Sequence, residues 1–235
     1  MSRCRLSFLA ASVLAFGLLP TRDADAEVTR DNQIWAASFN TVRLTGRDPG
    51  ETSGLSGWLD IHGRRSNSGY LSILRPGLGY RFNGHVSAWA GYAAVPSLPD
   101  STRDWVLEQR AWQQGLFTIP FAEKLMLQLR PRLEQRFREG EEDVAHRLRA
   151  FVRLNVTPSR EVPLLLATWN ETFLHLNDAS WGPSSGFDQN RLFLGFGVRA
   201  LRTSRVEIGY LNATTKTHDG LFIAHNLSVN ALSDF

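Results

Sequence analysis

Cysteine is nearly missing from this 235-residue chain: the one present, Cys4, lies close to the N-terminus. A lone thiol excludes an internal disulfide and a zinc site built from several cysteines. After the first two dozen residues no apolar run approaches the ~20 residues that a membrane-spanning helix needs. No histidine pair has zinc-ligand spacing. No phosphate-cradling glycine motif and no strained nucleophile turn are read either, so no cofactor is expected. Net charge is also scarce. The formal value of +3, spread along the chain without a basic tail, gives no argument for nucleic acid.

The N-terminus carries a targeting pattern. Arg3 and Arg5 precede an apolar run, Leu6 to Leu19, and Ala24-Asp25-Ala26 has the small-x-small form that a signal peptidase cleaves. The run is too short to cross a ~30 Å hydrocarbon core. Residues 1–26 therefore read as a cleaved signal that removes Cys4, and residues 27–235 as one exported domain.

What fills that domain is period two. In Leu125 to Phe137, the residues Leu125, Leu127, Leu129, Pro131, Leu133 and Phe137 share one face, broken only by Gln135. Gln128, Arg130, Arg132, Glu134 and Arg136 share the other. A helix would repeat at three and four, so this is a strand with one apolar and one charged face. The pattern recurs over 145–156, 191–199 and 206–210. Further strands are expected at roughly 33–44, 55–65, 69–82, 85–95, 106–119, 162–176 and 221–235.

A soluble barrel or sandwich would show the same alternation. Three features point instead to an all-β, transmembrane, antiparallel up-and-down β-barrel. The segments exceed the 5–6 residues usual for soluble strands and match the ~9–11 of membrane strands. Tight breaks at Asn83-Gly84, Phe121 to Glu123 and Arg202-Thr203 alternate with long ones at Pro96 to Asp104 and Asn177 to Asp188. Tyr80, Phe82, Tyr92, Phe137 and Tyr210 are expected near strand ends, as interfacial girdles, and Phe235 closes the last strand. Eleven segments are read, whereas single-chain bacterial barrels use even numbers. Either a strand near Thr45 to Gly54 makes twelve, the preferred count, or the first segment is not part of the wall and ten remain.

The stretches Asp31 to Trp35, Leu74 to Tyr80, Ala88 to Tyr92, Trp112 to Gln114, Leu133 to Phe137, Gly186 to Arg191 and Glu207 to Asn212 resemble the bacterial domain of unknown function 2490 family. The likeness spans nearly all of the mature chain and departs at Ala231 to Phe235, where an aromatic-basic-aromatic ending would be expected. It implies an outer-membrane barrel and brings no activity. Outer-membrane lipid is then one partner. The barrel assembly machinery, reading the strand that ends in Phe235, is the other.

Strand parity turns Arg75, Arg81, Arg110, Arg130, Arg132, Arg136, Arg147, Arg149, Arg153, Arg191 and Arg199 inward, with Asp60, Glu108, Glu134, Glu171 and Glu207. Eleven arginines against five acids make a cationic lumen. It is either a ladder of Arg–carboxylate pairs filling a narrow barrel or the wall of a small anion-favouring pore. A plugged scaffold or adhesin and a lipid-modifying hydrolase are the alternatives. Inward Trp58, Trp89, Trp112, Phe151 and Trp169 argue for a filled interior, while Gly77, Gly79, Gly195 and Gly197 would leave space. His62 and His175 face inward, His175 near Glu171 in strand spacing; His146 and His225 face outward. Gly186 to Arg191 reads as a rim turn, since Asp178 and Asp188 alone are too few oxygen ligands for calcium. The Arg-rich strands around 125–137 and 144–157 should form a hairpin with Glu134 opposite Arg147 or Arg149.

Overall fold

The structure, a computed structural model, describes residues 27–235 apart from 47, 49, 160, 161, 183 and 219. The expected signal segment and Cys4 lie outside the described residues. No helix among the described residues is long and apolar enough to cross a membrane.

The described residues form eleven strands: β1 (Glu27–Arg43), β2 (Gly54–Ser66), β3 (Gly69–Arg81), β4 (Val86–Pro99), β5 (Val106–Ala122), β6 (Leu125–Arg138), β7 (Ala145–Val156), β8 (Leu164–His175), β9 (Gly186–Leu201), β10 (Ser204–Lys216) and β11 (Gly220–Asp234). Successive strands pair antiparallel, and β1 pairs with β11 to close the barrel. The closing ladder, from Glu27↔Gly220 to Thr41↔Asp234, is parallel. An odd number of up-and-down strands forces this, because the first and last then point the same way. Glu27 therefore lies at one rim, here the N-terminal rim, and Phe235 at the other, the C-terminal rim.

The expected even count fails for two physical reasons. Residues 44–46, 48 and 50–53 form bends and turns rather than a twelfth strand. Gly46 and Gly50 there adopt left-handed φ values of +68° and +93°, which a strand does not use. Arg43 Nη1 folds the segment back by donating to the carbonyls of Glu51 at 2.9 Å and Gly46 at 3.3 Å. Nor does the first segment drop out of the wall. It starts earlier than expected, because the polar stretch Glu27–Asn32 gains backbone partners from Gly220–His225.

The seam is sewn at the C-terminal rim by one side chain from β3. Arg81 donates to Asp234 of β11, to Thr41 Oγ1 of β1 at 3.1 Å and to Ser56 Oγ of β2 at 3.1 Å. Thr41 Oγ1 in turn donates to Asp234 Oδ1 at 2.6 Å. The loop asymmetry is partial. The tight connections 82–85, 123–124 and 202–203 share the C-terminal rim, and 100–105, 139–144 and 176–185 share the other. Yet 44–53 and 157–163 lengthen the C-terminal rim, and 67–68 and 217–219 are tight at the N-terminal one.

Polarity is inverted relative to a soluble protein. Arg132, Glu134 and Glu207 are buried, while Leu78, Leu194 and Phe196 are 64%, 56% and 68% exposed on the outer wall. Tyr80, Phe82 and Phe137 lie near strand ends, but Tyr92 and Tyr210 are mid-strand, contrary to the girdle expectation. Each of those two has a hydroxyl partner on a neighbouring strand: Gln109 for Tyr92, and His225 Nδ1 at 2.6 Å for Tyr210. The outward Gln135 that interrupts the β6 pattern is paired likewise, its amide exchanging bonds with Gln113 at 3.1 and 3.4 Å. Outward polar residues such as Gln113, Gln135, His146, Asn170, Asn190 and Asn212 lie on the half of each strand nearer the N-terminal rim, above the apolar belt.

The inward glycines do not open the lumen. A Cβ on Gly77 would meet Trp112 at 2.5 Å and the Ala90 carbonyl at 2.9 Å, and one on Gly91 would meet the same indole at 2.6 Å. A Cβ on Gly79 would meet Trp89 at 2.3 Å, and one on Gly195 would meet Phe193 at 2.5 Å. Glycine here lets large rings lie flat against the wall. Trp58, Trp89 and Trp112 thereby form one cluster and Leu165, Phe193 and Leu211 another. Gly77→Val should therefore destabilise the barrel by roughly 1–3 kcal/mol through overpacking. Gly84→Ala, with open space around it, should stay within about 0.5 kcal/mol of the parent. Urea unfolding followed by tryptophan emission measures both; equal stability of the two variants would contradict this packing.

Candidate functional site

The inward residues meet where the register brings them. β6 and β7 form the expected hairpin, with Glu134 opposite Arg147. Glu134 is fully buried and accepts from Arg147 Nη2 and Arg149 Nη1, each at 2.6 Å. Arg132 and Arg110 stand at 3.8 and 4.0 Å. Arg149 reaches on to Glu171 at 2.7 Å, and Glu171 also takes Arg130 at 3.3 Å and faces Arg191 at 3.9 Å. Glu108 joins Arg110 and Arg136, each at 2.6 Å. Asp60 pairs with Arg75 at 3.0 Å, and Glu207 with Arg153 and with Arg205 at 2.8 Å. These forked donors suit carboxylates that must be satisfied away from water.

Three inward groups escaped the sequence reading. Asp188 is buried and meets Arg147 at 3.1 Å and His175 at 3.3 Å. A bulge opposite Phe173 and Leu174 breaks the alternation there, so parity could not place it. Gly186 to Arg191 is consequently not a rim turn. It is the start of β9, with Asn190 outward against Asn170 and Arg191 in the lumen. Arg64 was legible but passed over: it continues the inward face of Asp60 and His62 on β2. Arg205, two residues before Glu207, was missed in the same way. Of the expected lumen residues only Arg199 is exposed, at the C-terminal rim opposite Arg205.

Eleven guanidinium groups (Arg64, Arg75, Arg110, Arg130, Arg132, Arg136, Arg147, Arg149, Arg153, Arg191 and Arg205) thus stand against six carboxylates that take part in ion pairs (Asp60, Glu108, Glu134, Glu171, Asp188 and Glu207), while a seventh, Asp31, is buried on β1 and accepts from Gln33 and Asn67. Aromatic faces take up part of the surplus. Arg147, Arg149 and Arg191 lie 5.0, 4.7 and 4.4 Å from the Phe173 ring, and Arg132 lies 4.8 Å from Trp112. Arg64 and Arg191 both lie on Trp35, at 3.9 and 5.0 Å.

Two cavities lie among the described residues of the lumen. The larger, about 640 Å³, reaches the C-terminal rim at residues 83–85 and 202–203. Arginines from eight of the eleven strands, all but β4, β8 and β11, line it, and Glu171, Glu207 and Asp234 are its only carboxylates among the described residues. The smaller, about 280 Å³, lies at the N-terminal rim, between Ser66, Pro99 and Phe222. Trp35, Arg64 and Leu71 line both and form the partition between them. Beside the smaller cavity the β8–β9 loop roofs the lumen: Trp181 lies 5.2 Å from the Arg136 guanidinium and donates to the Asp143 carbonyl at 2.8 Å.

The two inward histidines, His62 and His175, lie against charged groups. His175 Nε2 stands 3.0 Å from Arg136 Nη1 and lies beside Asp188, not Glu171. Guanidinium only donates, so this nitrogen accepts. His62 faces Asp60 at 3.9 Å. No hydrogen bond among the described residues joins either ring to a serine. One correction is needed: Gly182, Ser184 and Gly186 do have the spacing of a hydrolase nucleophile turn. Gly182 and Ser184 fall in the β8–β9 loop and Gly186 opens β9, so the segment leads into a strand, whereas that motif requires a strand-to-helix turn.

The model of the family described as Protein of unknown function (DUF2490) matches residues 32–222. An uncharacterized protein of Methylorubrum extorquens is 32% identical over 214 residues, covering 88% of this chain and 89% of that protein. No solved structure matches the chain.

Glu134 is the hinge of the ion network. Glu134→Gln leaves Arg147 and Arg149 without their shared carboxylate, and loss of one partner of a buried pair costs about 3–5 kcal/mol. Its unfolding midpoint should fall well below that of Glu139→Gln, an exposed loop control. Matching midpoints would mean that the buried charge contributes nothing net.

Proposed function

This chain belongs to the DUF2490 family, and we propose that it is an outer-membrane barrel acting as a narrow permeability element for small anions. The observation that carries the anion preference is the larger cavity, with arginines on almost every side and three carboxylates. In a low-dielectric wall such a surplus raises the local anion concentration, and rings of Arg or Lys build anion pores. Only the Trp35–Arg64–Leu71 partition separates this cavity from the other rim.

The membrane location is supported by the outer wall. A continuous belt that includes Leu59, Leu78, Leu194, Phe196, Ile208 and Leu227 is exposed, far beyond the apolar patches that soluble monomers carry. The polar collar on the half toward the N-terminal rim orients the barrel, with that rim outside the cell and Phe235 at the periplasmic side. There the last strand is available to the assembly machinery. Export through a signal cleaved before Glu27 completes this reading.

A closed structural barrel is the second reading, favoured by the partition and by the Trp181 roof. Planar-bilayer recording separates the two. The first reading expects small, anion-selective conductance whose selectivity weakens as salt rises, since the screening length drops from about 10 Å at 0.1 M to about 3 Å at 1 M. Arg199→Glu with Arg202→Glu, both at the cavity mouth, should lower the anion preference without touching the buried pairs. Cation selectivity in the parent would overturn the anion reading, and absence of conductance would establish the closed barrel.

Location is tested separately. The refolded chain should be heat-modifiable on gels, and Leu194→Arg should impair membrane assembly, because a lipid-facing arginine at mid-depth costs about 2–4 kcal/mol. A mature chain that stays monomeric and soluble without detergent would refute the membrane proposal.

A further inference from the structure

The floor of the larger cavity holds an arrangement that the ion network does not explain. Arg64 and Arg191 lie on the same Trp35 ring, at 3.9 and 5.0 Å. Arg191 and Arg130 share a single carboxylate, Glu171, at 3.9 and 3.3 Å, and Arg149 already occupies that carboxylate at 2.7 Å. Arg64 pairs with no carboxylate among the described residues; its contact is the Trp35 face. The Nε–H groups of Arg64, Arg130 and Arg191 are all buried and have no hydrogen-bond partner, and all three side chains line this one cavity. A buried guanidinium donor left unpaired is costly, and three guanidinium groups around one space with one carboxylate among them leave that space short of acceptors.

The wall beside them is aromatic. Trp169 stacks on Phe193 at 5.4 Å with 13° between the planes, and Phe151 stands against Trp169 at 5.6 Å. Trp169 and Phe151 line the same cavity. Its volume of about 640 Å³ falls within the ~300–1,000 Å³ of small-molecule sites.

We infer that the lumen contains a binding site for a small organic oxyanion with a ring-shaped body. Its oxygens accept from Arg64, Arg130 and Arg191, and its ring packs against Trp169 and Phe151. The ligand is an anion because the donors are guanidinium groups with too few carboxylates. It carries a ring because the adjoining surface is aromatic, with Phe151 set against Trp169 and the Arg130 guanidinium 4.3 Å from the Phe151 ring. The inference rests on the cationic lumen argued above and adds a defined site to it, beside the partition, where a bound ligand would sit in the path of any permeating ion.

Isothermal titration of the refolded mature chain in detergent micelles tests it, with benzoate as the probe. Benzyl alcohol and benzylamine serve as neutral and cationic analogues, and inorganic phosphate as an anion without a ring. Saturable one-to-one binding of benzoate is expected, with benzyl alcohol and benzylamine showing none and phosphate binding at least tenfold more weakly. Arg64→Gln should weaken benzoate tenfold or more while heat-modifiability on gels stays intact, since Arg64 makes no ion pair that the fold relies on. Arg191→Gln should act in the same direction. No saturable benzoate binding, equal binding of benzyl alcohol, or full affinity in a folded Arg64→Gln variant would overturn the site. Phosphate binding as tightly as benzoate would overturn the ring requirement. Micelle binding does not depend on conduction, so a sealed barrel that binds benzoate refutes only the permeability reading. A conducting barrel that binds none refutes only the site.

Discussion

Everything inside this barrel answers to one constraint: more guanidinium groups are enclosed than there are carboxylates to pair with them. Arginine keeps its charge in such a place, so the surplus cannot be relieved by losing protons. It is relieved in two ways. Carboxylates are shared, as Glu134 is between Arg147 and Arg149 and Glu171 between Arg149 and Arg130. Aromatic faces accept the remainder, with Phe173 under three guanidinium groups and Trp35 under two. The inward tryptophans and phenylalanines are therefore electrostatic partners as well as filler. The glycines opposite several of them are the condition for rings of that size to fit within the wall.

Closure imposes a second demand. With eleven strands the seam is parallel, and parallel pairing is slightly weaker per residue than antiparallel. The seam compensates by length, running through fifteen residue pairs from Glu27↔Gly220 to Thr41↔Asp234, and by the Arg81 clamp across β1, β2 and β11. Arg81 belongs to the same inward set as the lumen arginines. One residue class thus both fills the interior and fastens the wall around it.

Much of this was legible in the sequence. Period two located every strand, and parity together with turn position limits Glu134 to a place opposite Arg147 or Arg149, of which the register takes the first. What parity could not reach were the places where the backbone departs from regular alternation. Asp188 sits on a bulge, and the strand count turned on left-handed glycines at 46 and 50 and on a parallel pairing that joins residues nearly two hundred positions apart. The glycines were misjudged for a related reason. A missing side chain looks like space in one strand, and only the neighbouring strand shows that a ring fills it. Arg64 is different: its face was known from Asp60 and His62, and its importance came from what it lacks, a carboxylate, which no single strand reveals.

The partition is where the structure bears on the proposed permeability. Most of the lumen arginines are held by paired carboxylates, so moving one strands a buried charge, and the pairs around Glu134 and Glu171 are in effect fixed. Arg64 is held only by the Trp35 face, a contact worth about 0.5–2 kcal/mol depending on how desolvated it is, within reach of ordinary thermal fluctuation. The layer separating the two cavities is consequently built from the least anchored cation in the lumen. An anion held in the larger cavity would offer that cation the partner it lacks, at the layer that lies between the two cavities.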